Sequence, residues 1–332
     1  MIFNRLRTLK IRIPMKNFLY LLGIMLSVLS CADSSKVNPE IEKLAIDFKV
    51  KRFDKVLAQS TPSDIDNLKK EYPYFFSERY DNLYWTARMQ DTLQKEIEDE
   101  VSKVFADEGE TSAQLELLFK HIKYYFPKTK VPEVVMVAAD VDYRNKVIWV
   151  DNNLLLVSLS NYLGSDHHFY EGIPTFNSKN FRKEQIAVDA AHAFAKAQTP
   201  SPRSSQFMEL LISEGKKLYL MKQLLSQTPL NEVLSYSDEE LAFILENEID
   251  IWEYFVRKEL LFSTDHKLAS RFINPAPFSK FYLEIDNETP GRIGRYIGYK
   301  IVDSYMANNN FSIKTMLLQD ATSIFNNAKY KP

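Results

Sequence analysis

The sequence has few of the features that make turns, cross-links or membrane spans. Only 8 of its 332 residues are glycine, where a share of about 7% is usual. Because glycine supplies most tight turns with positive φ, we expect a chain rich in helix. The longest apolar run near the N-terminus covers only residues 18–29, and roughly 20 residues are needed to span a bilayer.

The sequence also lacks an excess of charge of either sign. The 42 Lys and Arg residues are balanced by 44 Asp and Glu residues, which gives a net charge of −2. No global basic field is therefore available for nucleic acid, and no nucleic-acid partner is expected. The hydrophobic fraction of 45% is that of a globular protein and excludes a chain that is mainly disordered.

The N-terminus carries the pattern of a signal peptide. Lys16 precedes the apolar run, and small Ser30 precedes Cys31, the only cysteine. The stretch from Val28 to Cys31 resembles a bacterial lipobox, in which the cysteine is acylated after cleavage, with palmitate among the acyl groups. We predict a signal peptide over residues 1–30, starting at Met1 or at Met15. The alternative is a coincidental cysteine after a core segment.

Acylated Cys31 would attach the chain to a membrane surface without a spanning helix. Residues 31–40 are small and polar and suit a lipidated tether. With this thiol acylated, no intrachain disulfide can form, and a chain of this length does not need one. We expect residues 41–332 to form a single globular domain.

Apolar periodicity predicts a mainly helical α+β fold with a small β-sheet. A half-buried strand is expected over 46–53, and three short strands rich in Val, Leu and Ile over 131–139, 146–150 and 154–160. A loop covers 164–179. Spacings of three and four predict helices over 63–70, 84–105, 112–125, 183–197, 203–225, 237–260, 290–307 and 312–327.

One segment invites comparison with a zinc site. In metallopeptidases of the HExxH type, two histidines bind zinc, the glutamate between them is the general base, and a later glutamate is the third ligand. Here Val188 and Asp189 stand where the first histidine and the base belong, followed by His192 and, farther on, Glu214. Valine has no donor atom, and aspartate is one methylene shorter than glutamate. We therefore expect no bound metal and no cofactor; His192 then serves as a hydrogen-bonded helix residue and Glu214 as a paired carboxylate.

Two further motifs bear on function. Glycines 291, 294 and 298 do not have the spacing of a dinucleotide loop; three and four residues apart, they favour close helix packing instead. The loop over 163–170 holds Asp166, His167, His168 and Tyr170, a cleft or binding loop. Because adjacent side chains in an extended segment diverge, the two histidines do not form a chelate alone.

The order of several short motifs resembles the family of the gliding motility-associated lipoprotein GldB. The resemblance covers essentially the whole mature chain. It rests on the lipobox and on residues 50–54, 72–76, 163–170, 213–220, 263–265, 274–282, 290–300 and 329–332. Beneath it lies a wider similarity to predicted zinc-dependent proteases, which implies a zincin-like domain with a degenerate HExxH helix. The departures at Val188 and Asp189 imply a pseudoenzyme.

The resemblance implies a lipid-anchored envelope protein required for gliding motility and the associated type IX protein secretion. We expect a non-catalytic complex component whose partners are the membrane, through its acyl chains, and other gliding or secretion proteins. The outer membrane, facing the periplasm, is the expected location. Two rivals stay open: a zinc metallopeptidase with a ligand donated by His167 or His168, and a lipoprotein that binds an envelope peptide or glycan.

Overall fold

A computed structural model describes residues 38–151 and 153–332. The predicted signal peptide, Cys31 and most of the tether lie outside these residues. Among the helices of the described part, none is both long enough and apolar enough to cross a membrane.

A four-stranded mixed sheet forms one part of the fold. Its strands are β1 (Val50–Arg52), β2 (Glu133–Val137), β3 (Val147–Val150) and β4 (Leu154–Ser158), in the spatial order β1-β2-β4-β3. β2 is parallel to both β1 and β4, whereas β3 pairs antiparallel with β4, with Trp149 opposite Leu155. The central strands read as continuous apolar runs because both of their faces are covered. The three β-rich runs are thus confirmed, and of the strand predicted over 46–53 only Val50–Arg52 is a strand.

Helices form most of the remaining structure. Before β2 along the chain come α1 (Pro39–Glu42), α2 (Phe53–Gln59), α3 (Ile65–Glu71), α4 (Asn82–Gln90), α5 (Thr92–Val104) and α6 (Gly109–Tyr125). After β4 come α7 (Thr175–Ser178), α8 (Ile186–Gln198), α9 (Phe207–Leu224), α10 (Leu230–Leu234), α11 (Asp238–Glu246), α12 (Glu248–Arg257), α13 (Lys267–Phe272), α14 (Ile293–Asn308), α15 (Ile313–Leu318) and α16 (Ala321–Ala328). The mainly helical α+β prediction is confirmed.

Three predicted long helices are each two helices. The prediction of one helix over 84–105 is wrong because the carboxylate of Asp91 accepts the backbone N–H of Leu93 and begins a new helix. Asn247 separates α11 from α12, and Asp320 begins α16 by accepting the N–H of Ser323. Short polar side chains bond to the backbone in non-helical conformations, which apolar periodicity does not detect.

Glycine allows α9 and α14 to pack backbone against backbone. A Cβ placed on Gly215 would lie 2.1 Å from the carbonyl oxygen of Gly298, and one on Gly298 would lie 1.9 Å from that of Leu211. No side chain fits at either position. The helix packing predicted from the late glycines is confirmed, although α14 begins at Ile293 rather than at 290, because Arg292 has a left-handed backbone with φ of 61°.

Helix α8 lies against the sheet through its alanine-rich face. The indole N–H of Trp149 on β3 donates to the carbonyl of Ala190 over 3.2 Å. Ala190, Ala191 and Phe194 are fully or almost fully buried. This packing fixes the opposite side of α8, which carries Asp189 and His192, toward the start of α14.

Candidate functional site

A cavity of about 350 Å³ opens between α8, the edge of β3 and the residues that precede α14. Its lining includes the apolar side chains of Phe181, Val188, Met221 and Val233, all of which are buried. Neutral polar side chains, Asp189 and five cationic residues complete the lining, the cationic ones being Arg144, Lys146, Lys196, Arg292 and Arg295. The volume lies at the lower end of the range for small-molecule sites.

Asp189 reaches this cavity from α8 and is held by a cation. Its Oδ2 lies 2.5 Å from the Nζ of Lys146. The same oxygen accepts a hydrogen bond of 2.8 Å from the hydroxyl of Tyr162. Burial and the adjacent Asp189 raise the pKa of Tyr162 well above its usual value, so the phenol stays protonated and donates. The carboxylate is thus engaged by an ammonium group and a phenol.

Glu214 is held in the same way, behind the cavity on α9. Its Oε1 lies 2.5 Å from the Nζ of Lys217, and its Oε2 lies 3.1 Å from the Nε of Arg295. Burial alone would raise the pKa of Glu214, but Arg295 and Lys217 outweigh it and hold the pKa below its usual value. At neutral pH an ionised carboxylate therefore bridges two cations.

His192 stands between these two pairs as a neutral imidazole. Burial, and then the positive charge of Arg295, lower its pKa from 6.5 to about 4. Asp189 and Glu214 act in the opposite direction and Lys217 adds to the lowering, without changing the outcome. At neutral pH this ring has one nitrogen that donates and one that accepts.

Arg292 immediately precedes α14. Its guanidinium donates to the backbone carbonyl of Ser235 over 3.0 Å and lies 5.8 Å from the ring centroid of Tyr236. Burial, followed by the neighbouring charge of Arg295, lowers the pKa of Arg292 from 12.5 to about 10. The side chain stays charged at neutral pH, but at a cost in free energy.

The predicted histidine loop lies elsewhere. His167 Nε2 is 3.2 Å from Oε2 of Glu100, and His168 Nε2 is 3.3 Å from Oε1 of Glu96, both glutamates being on α5. The two imidazole rings stack with centroids 4.4 Å apart. The loop is therefore attached to α5.

Tyr170 braces that loop internally. Its hydroxyl donates to the carbonyl of Ser160 over 2.8 Å and accepts the N–H of Leu163 over 2.9 Å. Asp166 accepts from the hydroxyl of Ser165 over 3.3 Å. None of Asp166, His167, His168 and Tyr170 is among the residues that line the cavity beside His192.

The structure therefore brings Val188, Asp189 and His192 to one cavity, with Glu214 behind it, and leaves the loop over 163–170 on another face. Within residues 38–151 and 153–332, no three His, Cys, Asp or Glu side chains are grouped so that they could hold a metal ion.

Sequence reasoning missed the cations of this site. The sequence patterns predict only a strand at Lys146, and only a packing helix at Arg292 and Arg295. Their spacing of three residues does place two guanidinium groups on neighbouring turns of one segment, which is a usable signal. Lys217 follows Glu214 by the same spacing and could have been predicted as its partner.

Comparison with known proteins gives one family. Neither the search of curated proteins nor the search of solved structures found a match. The family of gliding motility protein GldB matches residues 34–332, which is most of the chain, and the chain therefore belongs to the GldB family.

Proposed function

We propose that this protein is a lipid-anchored, non-catalytic component of the cell-envelope machinery for gliding motility and its associated type IX protein secretion. Membership of the GldB family supports the link to gliding and the lipid anchor. The acyl chains on Cys31 would hold the domain at the outer membrane, facing the periplasm.

The observation that carries the non-catalytic part is the pairing of both carboxylates with cations. In the zincin-like interpretation, Asp189 occupies the position of the general base and Glu214 that of the third ligand. Here Lys146 engages the first, and Arg295 with Lys217 engages the second. These cations supply the positive charge that a metal would bring.

Adding a metal to this arrangement would be costly. A divalent ion beside Glu214 would face the guanidinium of Arg295 and the ammonium of Lys217 at short range. Like charges a few Å apart repel by about 4 kcal/mol for each pair of unit charges at an effective dielectric constant near 20. Val188, with no donor atom, offers nothing to offset that repulsion.

Two experiments test the proposal. Deletion of the gene in a gliding host should abolish both spreading and type IX secretion, and unchanged spreading and secretion would refute the cellular role. The full chain purified in detergent should carry no stoichiometric zinc, and its melting temperature should not respond to a chelator. Stoichiometric zinc that is lost in Glu214→Ala would instead identify a metallopeptidase.

A further inference from the structure

The cavity beside His192 holds more positive than negative charge. In its lining and directly behind it, four cations meet only two carboxylates, the six residues being Lys146, Arg292, Arg295, Lys217, Asp189 and Glu214. Asp189 balances one cation and Glu214, although it contacts two, balances one more. Two positive charges are therefore left over.

Neighbouring acids do not supply the missing negative charge. Glu240, whose charge acts on Arg292, is itself paired with Lys179. Glu232, which accepts a hydrogen bond from Gln185 of the lining, is paired with Arg182. Each of these acids brings its own cation, so the excess of two positive charges remains.

Two further cations lie in the exposed part of the lining. Arg144 precedes β3, and Lys196 lies near the end of α8. Both side chains are exposed, and neither takes part in an ion pair within residues 38–151 and 153–332. Cations that line a concave surface raise the local concentration of anions, so this side of the cavity attracts negatively charged ligands.

The two guanidinium groups of the cavity are adjacent and keep donors for another acceptor. After burial, the charge of Arg295 is the largest cause of the lowered pKa of Arg292, which places the two groups close together. Nη2 of Arg292 donates to the neutral carbonyl of Ser235, and Arg295 meets Glu214 through Nε. Because a guanidinium has five N–H donors, neither contact uses all of them. Two adjacent unbalanced charges favour a single ligand group that carries two negative charges.

A phosphate group fits this requirement. A phosphate monoester carries about −1.5 to −2 at neutral pH and offers three strong acceptor oxygens, which guanidinium forks bind in bidentate fashion. A single carboxylate supplies one charge, and the two carboxylates of a dicarboxylic acid are held apart by its carbon chain. The N-terminus of α14, beside Arg292, also favours negative charge.

The rest of the lining is suited to a polar ligand. Its apolar members Phe181, Val188, Met221 and Val233 are almost fully buried and expose little surface to the cavity. Neutral groups that donate or accept hydrogen bonds accompany the cations, namely Tyr143, Asn177, Asn180, Gln185, His192 and Ser235. Hydroxyl groups on a ligand would find partners among them.

We propose that this cavity binds a dianionic phosphate group, carried by a small hydroxylated ester or present as free phosphate, with Arg292 and Arg295 as the residues that contact it. The inference goes beyond the proposed function and does not depend on it, because neither membership of the family nor the pairing of the two carboxylates identifies a ligand.

Calorimetric titration of the full chain in a non-ionic detergent, at about pH 7.5 where the monoester is mostly dianionic, tests the inference. The phosphate probes are glucose 6-phosphate, glycerol phosphate and inorganic phosphate. The comparison compounds are glucose, succinate and dimethyl phosphate, which has one negative charge. We expect a phosphate probe to bind at least about tenfold more tightly than each of them, because they lose a charge-assisted hydrogen bond. Esters that bind more tightly than inorganic phosphate identify an ester, and the reverse order identifies free phosphate.

Three variants accompany the titration. Arg292→Asn removes a guanidinium, keeps a residue that tolerates the left-handed backbone, and should weaken binding of the phosphate probes at least about tenfold. Lys196→Gln changes an exposed residue, so the fold should persist and the affinity should fall about two- to fivefold. Arg257→Asn is the control, because Arg257 is exposed on α12 and lies outside the cavity lining. Thermal unfolding shows which variants are folded.

Three results would overturn the inference: no phosphate probe binds, succinate or dimethyl phosphate binds as tightly as the best phosphate probe, or folded Arg292→Asn keeps the wild-type affinity. If Arg292→Asn does not fold, an unchanged affinity in Lys196→Gln overturns it. Each of these results would leave the proposed role in gliding untouched, because that role is tested by deletion of the gene.

Discussion

Replacing Arg292 by glycine should stabilise the protein. Most substitutions of buried, hydrogen-bonded residues destabilise. Here the native residue combines a left-handed backbone with a partly buried charge that takes part in no ion pair among the described residues.

The expected magnitude follows from four contributions. Relief of the left-handed backbone gains about 1–2 kcal/mol. The fall in the pKa of Arg292 from 12.5 to about 10 corresponds to about 3 kcal/mol against the folded state, at about 1.36 kcal/mol per unit. Loss of the hydrogen bond to Ser235 and of the contact with Tyr236 costs about 2 kcal/mol. The flexibility of glycine in the unfolded chain costs about 1 kcal/mol more.

We therefore expect Arg292→Gly to raise the free energy of unfolding by about 1–2 kcal/mol. Because the folded pKa is below the unfolded one, the charge penalty is fully present at neutral pH and shrinks only above about pH 10. Thermal unfolding followed by circular dichroism measures the change, at about 2–4 °C per kcal/mol for a domain somewhat smaller than this one.

Glu259→Gly provides the matched control. Glu259 is exposed and has φ of 53°, so its replacement relieves only the backbone. We expect a gain of less than about 1 kcal/mol. If Arg292→Gly is destabilising, or gains no more than Glu259→Gly, the argument that Arg292 is an electrostatically strained residue is wrong.

Three more predictions follow from the fold, the cavity and the N-terminus. Gly215→Ala should cost about 3 kcal/mol or more in denaturant unfolding, because its Cβ would lie 2.1 Å from the carbonyl oxygen of Gly298; Gly109→Ala, which meets only a side-chain carboxylate at 3.2 Å, should be nearly neutral. Between pH 6.5 and about 4 only the unfolded state binds a proton at His192, so the free energy of unfolding falls as the pH falls through this interval. His192→Gln should remove up to about 3 kcal/mol of that fall. An unchanged dependence of stability on acid pH would contradict the neutral imidazole. Cys31→Ala should move the chain from the membrane to the soluble fraction after cell lysis, and continued membrane association would refute the lipid anchor.

Local patterns predicted most of the elements because their apolar periodicity is strong. The runs around Val134 and Leu155 lie in the buried centre of the sheet, and the capping box of Ser237 and Glu240 is present at the start of α11. Helix interruptions at Asp91 and Asn247 were missed because a single short polar residue changes the backbone path without changing the apolar count.

The candidate site was less predictable because its partners come from distant parts of the chain. Val188, Asp189 and His192 share one helix, so their proximity follows from sequence spacing. The pairing of Asp189 with Lys146, and of Glu214 with Arg295, depends on how α8, α9 and α14 pack. No local pattern contains that information, and without it the positive character of the cavity could not be predicted.

Complementation of a deletion strain by Asp189→Asn tests most directly whether the protein acts in gliding without catalysis. Asparagine keeps the size of the side chain but removes the charge at the position of the general base. The account predicts a variant that is present in the envelope at the wild-type level and restores spreading fully, as the exposed control Arg257→Asn does. A folded Asp189→Asn protein at the wild-type level that does not restore spreading would contradict the account.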